Sequence, residues 1–133
     1  MSSDRATYLD SSAIVKLART EAESTALRAY LRRRLPLVAS ALVQTEVVRA
    51  MLPFGDLAVA RAELVLERID LLRVSDRVLT AAARLAPDDL RSLDAIHLAT
   101  ARSLGASLAR VITYDVRMSE AAGQLGLTVV APS

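Results

Sequence analysis

Short apolar runs at strand spacing alternate along this chain with longer runs whose apolar positions recur every three to four residues. The alternation predicts strands at residues 6–9, 37–39, 71–74, 110–113 and 127–130. Between them it predicts helices at about 12–19, 21–34, 41–52 and 56–69, one beyond Ser75 ending near Pro87, and two at about 92–104 and 116–125. Pro36 introduces the second strand, Pro53-Phe54-Gly55 breaks two helices apart, and Ser12 and Ser40 stand where helix N-caps belong. Each strand is separated from the next by helix, an order that favours an α/β fold: a five-stranded parallel sheet flanked by helices on both faces. Ligands of such sheets bind outside the carboxyl ends of the strands.

Four acids interrupt this pattern. Asp10 ends the first strand, Asp115 follows Val111-Ile112-Thr113-Tyr114, Glu46 lies on one helical face with Leu42 and Ala50, and Asp94 sits early in an apolar helix. An ionised carboxylate is costly in apolar surroundings unless it is paired, hydrogen-bonded or bound to metal. Four of them in one pocket would repel one another unless a divalent cation supplied the missing charge.

Each acid also has a plainer reading. Asp10 and Asp115 can cap the helices that follow them, although Ser11 and Ser12 offer hydroxyls that would leave Asp10 free for another task. Glu46 can pair with Arg49 at i+3, and Asp94 can complement the positive end of its helix. His97, one turn after Asp94, permits a joint metal site, but a lone histidine in an apolar helix reads first as structural. Thr113 projects on the same side of its strand as Asp115 and could orient a metal-bound water. Asp88 and Asp89 follow Pro87 and read as solvated turn residues.

Composition narrows the setting. The length of 133 residues suits one domain, 1–133. Hydrophobic residues make up 53%, yet no apolar run approaches the ~18 residues of a membrane span, so the excess suits a core and a protein interface. A homodimer is expected, through the early helices or the one at 56–69. The chain has no cysteine and opens on polar Met-Ser-Ser-Asp-Arg, which leads to an expectation of a cytoplasmic protein without a membrane partner. Of its basic residues only Lys16 is lysine, and a net charge of +2 points only weakly to a phosphate-bearing partner. Phe54 and three tyrosines offer little for base stacking. The run Arg32-Arg33-Arg34 suits a helix C-terminus.

Four segments, in order, carry a resemblance: Tyr-Leu-Asp-Ser-Ser-Ala-Ile-Val-Lys-Leu from Tyr8, Thr-Glu-Val-Val-Arg-Ala from Thr45, Leu-Arg-Ser-Leu-Asp-Ala-Ile-His-Leu-Ala-Thr-Ala from Leu90, and Thr-Tyr-Asp-Val-Arg-Met-Ser-Glu-Ala-Ala from Thr113. Together they resemble the PIN-domain family, in particular its VapC-type toxins, over residues 6 to about 130. The resemblance implies a PIN-like three-layer fold and a magnesium- or manganese-dependent endoribonuclease, the toxin of a type II toxin–antitoxin pair. It also implies products with 5′-phosphate and 3′-hydroxyl ends, a homodimer, and an antitoxin whose tail blocks the site. Carried over by position, Asp10, Glu46, Asp94 and Asp115 match the catalytic acids, with Asp10, Asp94 and Asp115 as metal ligands and Ser11, Ser12 and Thr113 in support. Arg91 and Arg117, near Asp94 and Asp115 in sequence, are candidates for contacts to RNA phosphates.

Two other functions compete: a PIN-type RNA-processing nuclease without toxin activity, and a non-catalytic phosphate-binding module resembling a receiver domain. The latter would want paired acids after the first strand and a lysine after the last, and the chain has neither.

Overall fold

β1 (Ala6–Leu9) is buried at every position and lies at the centre of the sheet, where it needs apolar neighbours on both faces. The computed structural model describes residues 5–133; the first four residues of the polar opening segment lie outside that range. After β1 come α1 (Ser11–Ala18), α2 (Ser24–Leu31), β2 (Leu37–Ser40), α3 (Val43–Met51) and a 3-10 turn, Leu52–Phe54. The chain continues through α4 (Asp56–Leu66), β3 (Asp70–Leu72), α5 (Asp76–Ala83), α6 (Ser92–Ser103), a second 3-10 turn, β4 (Leu108–Ile112), α7 (Val116–Gln124) and β5 (Val129–Val130). All five strands pair in parallel in the order β3-β2-β1-β4-β5.

The strand period of two feeds a separate core on each face. Leu9, Ala39 and Ile112 pack with Ile14, Leu27, Val47 and Ala62 from α1 to α4. Tyr8, Val38 and Val111 turn to the other face, where they meet Ala101 of α6. The α7 residues Met118, Ala121 and Ala122 pack on Leu98 of α6. These layers are the expected α/β architecture of five parallel strands between helices.

Several boundaries differ from the sequence-based expectation. The second helix, predicted over 21–34, is confined to Ser24–Leu31. Ser24 Oγ accepts from Glu21 N at 2.8 Å and donates to Arg19 O at 3.2 Å, which ties the preceding residues into a turn. At the far end Arg34 stacks over the Tyr30 ring and donates to Tyr30 O at 2.7 Å, so the Arg32-Arg33-Arg34 run follows the helix. The third strand begins at Asp70 rather than Leu71, in register with Val38; at the edge of the sheet its carboxylate stays exposed. Gly55, with φ 93°, turns the chain between the 3-10 turn and α4 in a conformation that favours glycine. Among the described residues no helix is long and apolar enough to cross a membrane.

Candidate active site

The chain builds β1, β2 and β3 outward on one side, then returns to place β4 and β5 on the other, so the direction of strand addition reverses between β1 and β4. In open parallel sheets the crevice at such a reversal is the usual ligand site. Asp10 leaves the carboxyl end of β1, and Thr113 and Asp115 follow β4 beside it.

Asp10 is buried and its oxygens are engaged by the chain around it. Oδ1 accepts from Ser12 Oγ at 2.6 Å and from Ala13 N at 3.0 Å, making Asp10 itself the N-cap of α1. This corrects the expectation that Ser12 caps the helix: a carboxylate accepts more strongly than a hydroxyl, and the hydroxyl supports it as a donor. Ser12 Oγ also receives Tyr114 N at 3.0 Å. The second oxygen, Oδ2, accepts from Thr113 Oγ1 at 2.5 Å. Burial pushes the Asp10 pKa up, and the hydroxyls of Ser12 and Thr113 and the Ala13 amide oppose that rise.

Thr113 Oγ1 in turn accepts from Asp115 N at 3.1 Å, so its hydroxyl joins the two acids. Asp115 Oδ1 caps α7 through Met118 N at 3.0 Å. Its Oδ2 lies 3.5 Å from Arg91 Nη2, while Arg91 Nε lies 3.4 Å from Asp94 Oδ2. Arg91 thus bridges Asp94 and Asp115. The buried Asp94 Oδ2 meets Arg91 as an ion-pair partner, without a hydrogen bond of good geometry. Burial and the neighbouring Asp115 charge raise the Asp94 pKa, with Arg91 opposing.

Glu46 does not pair with Arg49. Its Oε1 lies 2.7 Å from His97 Nε2, and Tyr8 Oη lies 2.6 Å from His97 Nδ1. Ser11 lines a small cleft beside Glu46 together with Ser12, Lys16, Glu21 and Tyr114. Lys16 is held there by Glu21 and Glu23, each at 2.9 Å. Ser40, expected as a cap, receives the N–H of Leu42 at 3.2 Å, and Leu42 rather than Ser40 is the N-cap of α3. Arg117 is exposed on the first turn of α7, and among the described residues it pairs with none of the four acids. Asp88 and Asp89 are exposed, as a turn reading requires.

Sequence reasoning missed Tyr8. A signal was present, because a tyrosine in a strand buried on both faces needs a partner for its hydroxyl, and the chain holds one histidine.

The donor chemistry suits a hard divalent cation. It consists of carboxylate oxygens, one of them buried and without a hydrogen bond, with mutual repulsion between Asp94 and Asp115 that a cation would relieve. Among the described residues no three acids or histidines stand close enough to chelate an ion by themselves. That still fits Mg²⁺, which is commonly held by one or two carboxylates and several waters.

Fold and acidic edge together define a PIN domain: the family model for the PIN domain matches residues 7–124, and the chain belongs to that family. Within it the chain is similar to ribonuclease VapC46 of Mycobacterium tuberculosis, 58% identical over 128 residues that cover 96% of this chain and 98% of the relative. It is also 43% identical to ribonuclease VapC35 of the same organism over 129 residues, covering 94% of this chain and 96% of that one. A solved structure described as a toxin-antitoxin complex from Klebsiella pneumoniae shares the fold, with a TM-score of 0.74, 22% identity and coverage of 96% of this chain and 98% of that one.

Proposed function

We propose that this chain is a VapC-type endoribonuclease, the toxin of a type II toxin–antitoxin pair, which hydrolyses RNA phosphodiesters with Mg²⁺ or Mn²⁺ at its acidic edge. One observation carries the reading: a buried Asp94 oxygen without a hydrogen-bond donor stands at the strand-end crevice shared with Asp10 and Asp115. Asp10, Asp94 and Asp115 would hold the cation together with waters that complete its shell. When bound, it supplies a Lewis acid that polarises the phosphodiester and lowers the pKa of a water.

The chain's own residues do the remaining work. Glu46, fixed through Oε1 by His97, has Oε2 available to take a proton from the attacking water. The water oxygen bonds to phosphorus as the bond from phosphorus to O3′ breaks, leaving a 5′-phosphate and, after protonation from solvent, a 3′-hydroxyl. Thr113 and Ser12 hold Asp10 in place, and Thr113 sets the start of the Asp115 turn. Arg91, already between two acids, is placed to exchange a carboxylate for a phosphate oxygen.

The reading takes the chain as one PIN domain acting in the cytoplasm as a homodimer, with an antitoxin as protein partner. Exposed Leu52, Phe54, Leu57 and Leu64, on the first 3-10 turn and α4, support a protein interface. Names and descriptions of similar proteins, two ribonucleases and a toxin-antitoxin complex, support substrate and partner.

The test is purified protein incubated with total RNA and Mg²⁺ or Mn²⁺, with and without chelator, beside Asp94→Asn. Metal-dependent cleavage by the wild type alone is expected, and equal cleavage by both proteins overturns the reading. Growth arrest on expression in a host lacking the antitoxin separates a toxin from an RNA-processing nuclease.

A further inference from the structure

We infer that Tyr8 and His97 are positioning residues for Glu46: a one-way chain of hydrogen bonds from the Ser40 amide through Tyr8 fixes His97 with its proton on Nε2, from which it donates to Glu46. The inference rests on the nuclease reading of the acidic edge and adds two residues to its machinery.

Proton placement follows from the geometry. Ser40 N lies 3.2 Å from Tyr8 Oη, and a backbone N–H can only donate, so one acceptor position of the phenol is filled. Tyr8 is fully buried, a setting that favours the uncharged phenol over the phenolate, so its hydroxyl has one hydrogen to donate. Its contact to His97 Nδ1 at 2.6 Å takes one proton, and the phenol supplies it. Nδ1 is then an acceptor, which places the ring hydrogen on Nε2. Nε2 lies 2.7 Å from Glu46 Oε1, and an ionised carboxylate can only accept. Each link therefore runs in the same direction, from β2 through β1 and α6 to α3.

The arrangement is rigid where Glu46 is not. His97 is 1% exposed and packs edge-on against the Tyr8 ring, with centroids 5.9 Å apart. Glu46 is partly exposed at the cleft, and a glutamate side chain has three torsions to order. A donor held in a buried, interlocked pair restricts the carboxylate to orientations that keep Oε1 on His97. Without Tyr8, nothing in this chain of bonds would hold the proton off Nδ1.

The lone histidine makes the test direct. In untagged, ¹⁵N-labelled protein near neutral pH, the histidine spectrum should show an unprotonated Nδ1 and a protonated Nε2, and Tyr8→Phe should shift Nδ1 toward protonation. A proton on Nδ1 in the wild type, as imidazolium or as the other tautomer, overturns the inference. In RNA cleavage, His97→Leu should lose about 10–100-fold in kcat with little change in KM. His97→Gln, which keeps a side-chain N–H for Glu46, should recover a large share of that loss. Equal loss in both variants at matched melting temperatures, or a change confined to KM, also overturns it. Should the metal-loaded wild type cleave no RNA, the nuclease reading fails, while the tautomer and its dependence on Tyr8 are still decided by the spectrum.

Discussion

The Thr113 hydroxyl donates to Asp10 Oδ2 at 2.5 Å, joining residues 103 positions apart and locking the end of β1 to the end of β4. Thr113 Oγ1 also receives the Asp115 amide, so one small side chain sets the spacing of two acids.

Thr113→Val keeps the shape and removes both bonds. A buried carboxylate that loses a donor costs about 1–3 kcal/mol, readable as a lower urea midpoint at unchanged slope. Thr113→Ser keeps the hydroxyl and should retain most of the stability. Equal midpoints for Val and wild type would show that Asp10 does not depend on this donor.

Mg²⁺ or Mn²⁺ should stabilise the wild-type protein, by about 2.7 kcal/mol at a hundred times the dissociation constant, and chelator should reverse the effect. Asp94→Asn removes the buried charge and should abolish most of the shift. Thermal melts with and without metal give the comparison. A metal-induced rise of equal size in the variant would place the ion elsewhere.

Asp10 and Asp94 have their folded-state pKa values raised, in each case first by burial. The sign is opposite to that of a salt-bridged acid: between the unfolded and folded values the folded protein binds more protons. Their charge therefore costs stability above the folded pKa, and that cost disappears as pH falls towards the unfolded value, ~4 for aspartate. Metal binding needs the ionised forms, so Mn²⁺ affinity should begin to fall on acidification before the ordinary carboxylate range is reached. Isothermal titration over a pH series should show this, with a shallower dependence for Asp94→Asn.

Arg91→Ala removes the cation that Asp94 and Asp115 share. The Arg91 side chain is 65% exposed, so the cost in stability should stay below about 1 kcal/mol. Mn²⁺ affinity should rise, because a competing positive charge is gone, while KM for RNA rises through loss of a phosphate contact. Electron paramagnetic resonance titration and cleavage kinetics read the two directions separately; no change in either would remove Arg91 from the site.

Leu57→Asp combined with Leu64→Asp places charge on the exposed apolar face of α4. By light scattering the expected outcome is a dimeric mass for the wild type and a monomeric mass for the double variant. A dimer that survives both changes uses another face.

Much of this architecture is legible in the residues. Alternating periods give the layers, and the positions of Asp10 and Asp115 at strand ends follow from where the apolar runs stop. The neighbouring of β1 and β4 does not follow, because strand order is set by pairing between segments about a hundred residues apart. Local hydrogen bonding explains the missed boundaries: the Ser24 side chain ties the residues before α2 into a turn, and Asp10 takes the cap that two serines seemed able to supply. Glu46 looked like a surface partner of Arg49 because helical spacing brings those two close, whereas its true neighbour His97 arrives from a helix fifty-one residues later. Tyr8 escaped notice because apolar pattern counts its ring and overlooks its hydroxyl.

Along β1, Leu9 fills one core, Tyr8 joins the other, and the next residue, Asp10, enters the acidic edge. Tolerance to mutation and sensitivity of the chemistry consequently coincide in this strand. A substitution library over residues 6–10 would lose folding and turnover together, and selection there could not tell one from the other. Over α4, where Ala62 is the only buried residue, the two can vary independently. New partner specificities can be explored on that helix with little risk to the strand that carries the site.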